Sequence, residues 1–266
     1  MCELCKLHGK GTKWYLNPEN YKRELGLSME DTFKELAGRM GQKWLAEKAS
    51  SWDKIFRMPV FGNLFRKHQN RKIKTIGTQI IPLTDALKVV ELSEDFILRP
   101  CVCRRLAGKE ENTCLHFGVA KEFYEKLLPK DQRIEVIPKD EVKELLTKWD
   151  DEGLYHLVVP LETPYIYNIC NCAIPYCWAW RAREVHGLTS MLRKGEYVAV
   201  VNPELCQGCG KCLSRCPFGA IRFDRLKKVA FVDIRICFGC GLCANTCEHH
   251  AITLIDRLKT PVEGLW

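Results

Sequence analysis

The stretch 206–217, CQGCGKCLSRCP, sets Cys206, Cys209, Cys212 and Cys216 at C-x2-C-x2-C-x3-C spacing, with Pro217 directly behind the last of them. Each cysteine returns 31 positions on, as Cys237, Cys240, Cys243 and Cys247. The register holds outside the cysteines too. Val200-Val201 answers to Phe231-Val232, and Ala220-Ile221 to Ala251-Ile252. A fixed offset over matched flanks is the mark of an internal duplication.

Three thiolates at x2 spacing in one tight loop can grip three corners of an iron–sulfur cubane, and the fourth ligand has to come from elsewhere. Residues 196–257 resemble the bacterial-type 2[4Fe-4S] dicluster ferredoxin domain, in which the other repeat supplies that ligand. The resemblance assigns Cys206, Cys209, Cys212 and Cys247 to cluster I, and Cys237, Cys240, Cys243 and Cys216 to cluster II. One departure is Glu248, which stands where a proline commonly follows the last cysteine. Disulfides would need an oxidising compartment, and zinc sites favour separated C-x2-C pairs over four-cysteine runs.

The chain has 266 residues, 46% hydrophobic and 28% charged, as in an ordinary globular protein. Sixteen cysteines are far above average. The start, MCELCKLHGKG, has no apolar core of a secretion signal, and no run of eighteen apolar residues occurs, so no membrane insertion is expected. The expected location is the reducing cytoplasm, in an anaerobic cell. The formal charge of +8 counts the cysteines as neutral. Each [4Fe-4S] core with four thiolates adds −2, leaving about +4 with two clusters and about +2 with three. The basic balance therefore offsets the cofactors and argues little for nucleic acid.

The expected fold class is α+β: a ferredoxin-like dicluster repeat with a short tail over 196–266, behind a larger, mainly helical cysteine-containing domain over 1–195. Ser28 and Asp31 approximate a capping box ahead of an apolar face running from Phe33 to Leu45. Thr84 is read as the cap of a helix through Leu92; Val142, Leu145, Leu146 and Trp149 mark another, stopped by Gly153. A further helix is expected over 175–192. Ile134, Val136 and Tyr155–Val159 read as strand, and Leu265-Trp266 as a docked end. Residues 52–76 interleave basic and aromatic side chains, a pattern that suits single-stranded nucleic acid, an acidic partner, or a solvated face with its aromatics buried.

The other eight cysteines fall in three places. Cys101, Cys103 and Cys114 lie in PCVCRR…NTCLHFG, and Cys170, Cys172 and Cys177 in NICNCAIPYC. This framework resembles, over about 98–185, the N-terminal region of a group of poorly characterised iron–sulfur proteins from anaerobes. The resemblance implies a third cluster on Cys101, Cys103, Cys114 and either Cys170 or Cys172, with Arg104 and Arg105 offsetting its charge. Cys2, Cys5 and His8 stand at C-x2-C-x2-H spacing and could supply three ligands to a metal. Alternatively, Cys2, Cys5 and Cys177 could complete a fourth site. His249 and His250 read as loop residues, since the neighbouring cubane already has four thiolates.

No Rossmann glycine fingerprint, P-loop, nucleophile elbow or H-E-x-x-H motif occurs. The reading is an iron–sulfur electron-transfer protein, the relay subunit of a larger anaerobic oxidoreductase that partners a catalytic subunit. Two alternatives stand beside it: an enzyme with an open coordination position at the N-terminal cluster, and a redox sensor that binds nucleic acid through 52–76.

Overall fold

Strand β5 (Tyr155–Glu162) and strand β6 (Tyr165–Cys172) form an antiparallel hairpin that centres a seven-stranded sheet. The order is β4-β2-β3-β6-β5-β1-β7, with β1 Thr78–Ile81, β2 Phe96–Pro100, β3 Asn112–His116, β4 Val136–Ile137 and β7 Leu192–Arg193. Every pairing is antiparallel except β1 with β7. This computed structural model describes residues 2–22, 51–56, 58, 61–74, 77–127 and 136–260. The helix expected from Ser28, Ile134 and the Leu265-Trp266 end lie outside them.

Among the described residues before 196 helix exceeds strand, in keeping with an α+β fold, but the helices pack on a seven-stranded sheet that was expected only at Val136 and Tyr155–Val159. Its inner strands are covered on both faces, so they carry apolar runs such as YIYNIC instead of the alternation that betrays a half-exposed strand. One face, with Ile81, Leu115, Val158 and Ile166, packs on the helices Leu83–Leu92 and Lys139–Asp151 and on Trp14. The other carries Ile80, Tyr155 and Leu157 toward the C-terminal unit, and Ile97, Leu161 and Tyr165 toward the helix Val119–Leu127. Leu146 is fully buried in the first core. Leu146→Ala is expected to cost about 2–5 kcal/mol in a denaturation midpoint, with the iron content unchanged.

Two helix boundaries also differ from expectation. The helix Leu83–Leu92 starts one residue before Thr84, with Pro82 at the cap position and no side-chain cap. The helix expected over 175–192 is Trp178–His186; Cys177 is its N-cap and left-handed Gly187 ends it.

Two aromatics of the basic, aromatic stretch fold inward, while its basic side chains Lys54, Lys67, Arg71, Lys72 and Lys74 stay exposed. Trp52 and Phe56 are buried with Ile73 and Leu188. From the helix Phe61–Ile73, Arg66 Nε donates to the His186 carbonyl at 2.8 Å and Asn70 Nδ2 to that of Gly187 at 3.0 Å. Trp52 and Phe56 are thus packing groups here and offer no open platform for stacked bases, while Phe61 stays exposed.

Beyond residue 196 the duplication is visible as structure. Strand β8 (Tyr197–Val201), a cysteine loop, the helix Lys211–Arg215 and β9 (Ile221–Asp224) make one half. Strand β10 (Val229–Val232), a second loop, the helix Leu242–Asn245 and β11 (Ile252–Asp256) make the other. The halves interlock, since β8 pairs with β11 and β9 with β10. Arg257 pins the junction, donating to the carbonyls of Gly195, Tyr197 and Cys237 at 2.9, 2.7 and 3.0 Å.

Candidate iron–sulfur sites

Each cysteine loop of the C-terminal unit turns through left-handed glycines into a short helix, which lets consecutive thiols converge on one point. The loops are not equally tolerant. At Gly239, φ is +74° and an added Cβ would lie 2.1 Å from the Tyr197 carbonyl oxygen, whereas at Gly210, φ +75°, nothing lies within 4 Å. Gly239→Ala is therefore expected to abolish loading of the Cys237–Cys243 loop, while Gly210→Ala costs only the strain of its backbone, about 1 kcal/mol. Iron counts on the two variants check this.

The thiols gather across the repeats. Cys206, Cys209, Cys212 and Cys247 line one cavity, with His249 at its rim. Cys216 instead stands with Cys237, Cys240 and Cys243. Burial, with Cys237 and Cys216 beside it, pushes the Cys243 thiol up to about 12. Backbone N–H groups donate to sulfur from Ala230 to Cys206 at 3.5 Å, Ala220 to Cys216 at 3.3 Å and Ala199 to Cys237 at 3.5 Å. Donors aimed at sulfur fit thiolates that carry a cluster's charge. Cys209 is exposed and Cys237, Cys240 and Cys243 are buried, so the first set faces solvent and the second the interior. Glu248 pairs with Lys211 on the surface.

The six cysteines of the sheet region form one set. Cys114 on β3 and Cys170 on β6 are direct cross-strand neighbours, and Cys172 follows on the same face. Thiol contacts run from Cys103 to Cys101, to Cys114, to Cys170, to Cys172, and on to Cys177. Cys177 and Cys172 also raise the Cys103 thiol electrostatically, so the two ends of the row turn back toward each other as a loose ring. Neighbouring thiols and burial push Cys103, Cys172, Cys114 and Cys170 well up, while hydrogen bonds hold Cys101 and Cys177 down. So many buried thiols ionise together only around a strongly positive centre. The buried Arg104, whose backbone N–H bonds to Cys101, turns its guanidinium to Glu111 and over the Tyr176 ring at 5.4 Å, and its Nε and Nη2 have no hydrogen-bond partner. Those orphan donors suit an anionic group. Arg105, by contrast, pairs with Glu110 at the surface.

The structure thus divides the three cysteines grouped as a fourth site. Cys177 lies in the six-thiol ring, and Cys2 and Cys5 meet Glu196 instead. Glu196, and not His8, is the third member of that group. The sequence offered a cue for Cys177, since C-x-C-x4-C sets it only five residues beyond Cys172 at the end of β6. For Glu196, a lone acid at the junction, it offered none.

An aromatic cluster lies between the ring and the second cysteine set of the C-terminal unit. Phe218 and Phe238 stack at 4.4 Å between centroids, with Tyr155 at 5.1 Å from Phe218 and Trp180 at 5.6 Å from Phe238. Cys172 and Cys177 from one side and Cys216 and Cys240 from the other all belong to this core.

Residues 199–222 match the family described as 4Fe-4S binding domain. The match covers the first repeat, Cys206 to Cys216, and points to 4Fe-4S cluster binding and iron–sulfur electron transfer. No curated protein matches the chain. Among the described residues, no helix is long and apolar enough to cross a membrane.

Proposed function

We propose that this chain is the electron-relay subunit of a larger oxidoreductase, with three [4Fe-4S] sites in a row. Cys206, Cys209, Cys212 and Cys247 hold the outermost; Cys237, Cys240, Cys243 and Cys216 the middle one. The innermost draws its ligands from the ring of Cys101, Cys103, Cys114, Cys170, Cys172 and Cys177. When bound, each cluster takes up and returns one electron. The observation that carries the reading is the shared core: thiols of the ring and of the middle set pack on one aromatic cluster, so the two sites adjoin across a dry, polarisable interior.

The chain's own residues set the direction of access. In the ring Cys101, Cys114, Cys172 and Cys177 are buried and Cys103 and Cys170 half-buried, whereas the outer set opens at the exposed Cys209. Beside it the β9–β10 hairpin presents Arg222, Arg225, Lys227 and Lys228 with fully exposed Leu226, a surface suited to an acidic redox partner. Cytoplasmic placement in an anaerobic cell belongs to the same reading.

Spectroscopy of the half-reduced protein tests it. EPR should show interacting spins spread over all three sites, and three magnetically isolated signals would contradict the row. The enzyme alternative expected a three-thiol set with an open position at the N-terminal cluster. Six thiols around that site favour the relay.

A further inference from the structure

Cys2, Cys5 and Glu196 belong to none of these three sets. They come from the N-terminal helix and from the junction ahead of β8, and all three are buried, at 7%, 2% and 2% exposure. Their ligand atoms lie within 4.8 Å of one another. We propose that Cys2, Cys5 and Glu196 hold one zinc ion whose fourth position opens to a basic pocket and takes a small anion.

The distances fit a mononuclear centre. Cys2 Sγ and Cys5 Sγ are 3.5 Å apart, and Cys5 Sγ is 3.2 Å from Glu196 Oε1. Tetrahedral zinc sets two sulfurs about 3.7 Å apart and sulfur and oxygen about 3.5 Å apart, so an ion needs only a few tenths of an ångström of opening. A thiolate pair with one hard carboxylate suits zinc; Cu(I) would prefer sulfur alone, and a cubane would need a fourth thiol.

The surroundings are arranged as for a metal–thiolate site. The Cys5 N–H donates to Cys2 Sγ and the Trp14 N–H to Cys5 Sγ, each at 3.4 Å. The Trp14 indole donates to Gln79 Oε1, which fixes that fully buried amide. Gln79 Nε2 is thereby aimed at Glu196 Oε1 at 3.1 Å and Cys2 Sγ at 3.8 Å, outer contacts of the kind that orient ligands. Two thiolates, a carboxylate and Zn2+ leave one negative charge, with Arg193 acting on Cys2 and Arg257 on Glu196.

Cys2 also forms part of the wall of a cavity of about 290 Å³, whose other walls include Arg183, Arg193, Lys194 and one acid, Glu3, which pairs with Lys74 at 3.5 Å. Three cations around the open side of the ion favour an anionic fourth ligand. The site would also clamp the N-terminal helix to the start of the C-terminal unit.

The test uses full-length protein purified anaerobically with its iron intact, and it reads independently of the relay. About one zinc per chain is expected. Exchange with cobalt should give thiolate-to-cobalt charge-transfer bands and tetrahedral d–d bands, and azide should shift the latter. E196Q, which keeps the shape of the side chain, should weaken cobalt binding at least ten-fold, and C5S more, with iron content and ferredoxin EPR unchanged. Absence of zinc and of cobalt bands would overturn the site, as would bands of equal strength in both variants or iron and sulfide at Cys2 and Cys5. Bands unmoved by azide would overturn the open position.

Discussion

Replacing Cys216 with alanine should remove the cluster whose other ligands are Cys237, Cys240 and Cys243, and spare the one gripped by its own run. The reason is geometric. Cys216 lies beyond the helix Lys211–Arg215, which carries it out of its own loop and into the buried set of the other repeat. Cys247→Ala should do the converse, emptying the solvent-facing site lined by Cys206, Cys209 and Cys212. Each change is expected to take about four irons per chain and one EPR signal. The remaining signal identifies the crossing. If Cys216→Ala instead silenced the exposed site, each run would be feeding its own cluster. The effect on function should be unequal: losing the middle site interrupts exchange between the ring and the surface, whereas losing the outer one leaves the inner pair in contact through the aromatic core.

The second large effect concerns the ring. Because six thiols exceed the four that a cubane needs, a single substitution can be covered by a neighbour, and a pair is required. Cys114 and Cys170 face each other across β3 and β6 and link the Cys101 side of the ring to the Cys172 side. The double change Cys114→Ala and Cys170→Ala should lower iron from about twelve to about eight per chain, with the signals of the two C-terminal sites retained but freed of their interaction with the third spin. Cys2→Ala with Cys5→Ala should leave iron unchanged, since those thiols belong to neither the ring nor the ferredoxin loops.

The C-terminal unit was legible because metal ligation imposes spacing. Four thiols, their loops and the duplicated strand–helix–strand units keep one offset, and the observed elements keep it too. The sheet before it was far less legible. Of its inner strands only β5 was expected, over Tyr155–Val159; β3 and β6 are buried along nearly their whole length and lack alternation, and both carry cysteines that were read as ligands and not as strand. Helical periodicity was easier to see, which is why Val142, Leu146 and Trp149 were placed well while the region as a whole looked mainly helical. Membership of the ring could be read only in part. The resemblance grouped Cys101, Cys103 and Cys114 with either Cys170 or Cys172; that Cys114 stands opposite Cys170 is a matter of strand register over a long separation, and Cys177 was placed elsewhere. Glu196 lay beyond reach for the same reason: it meets Cys5 across 191 residues of chain.

Anaerobic iron and sulfide analysis, combined with EPR through a reductive titration, tests the central claim most directly. Three [4Fe-4S] sites predict about twelve irons and twelve sulfides per chain, with a third signal that disappears in the Cys114/Cys170 double variant. About eight irons, and only the two ferredoxin signals, would contradict it.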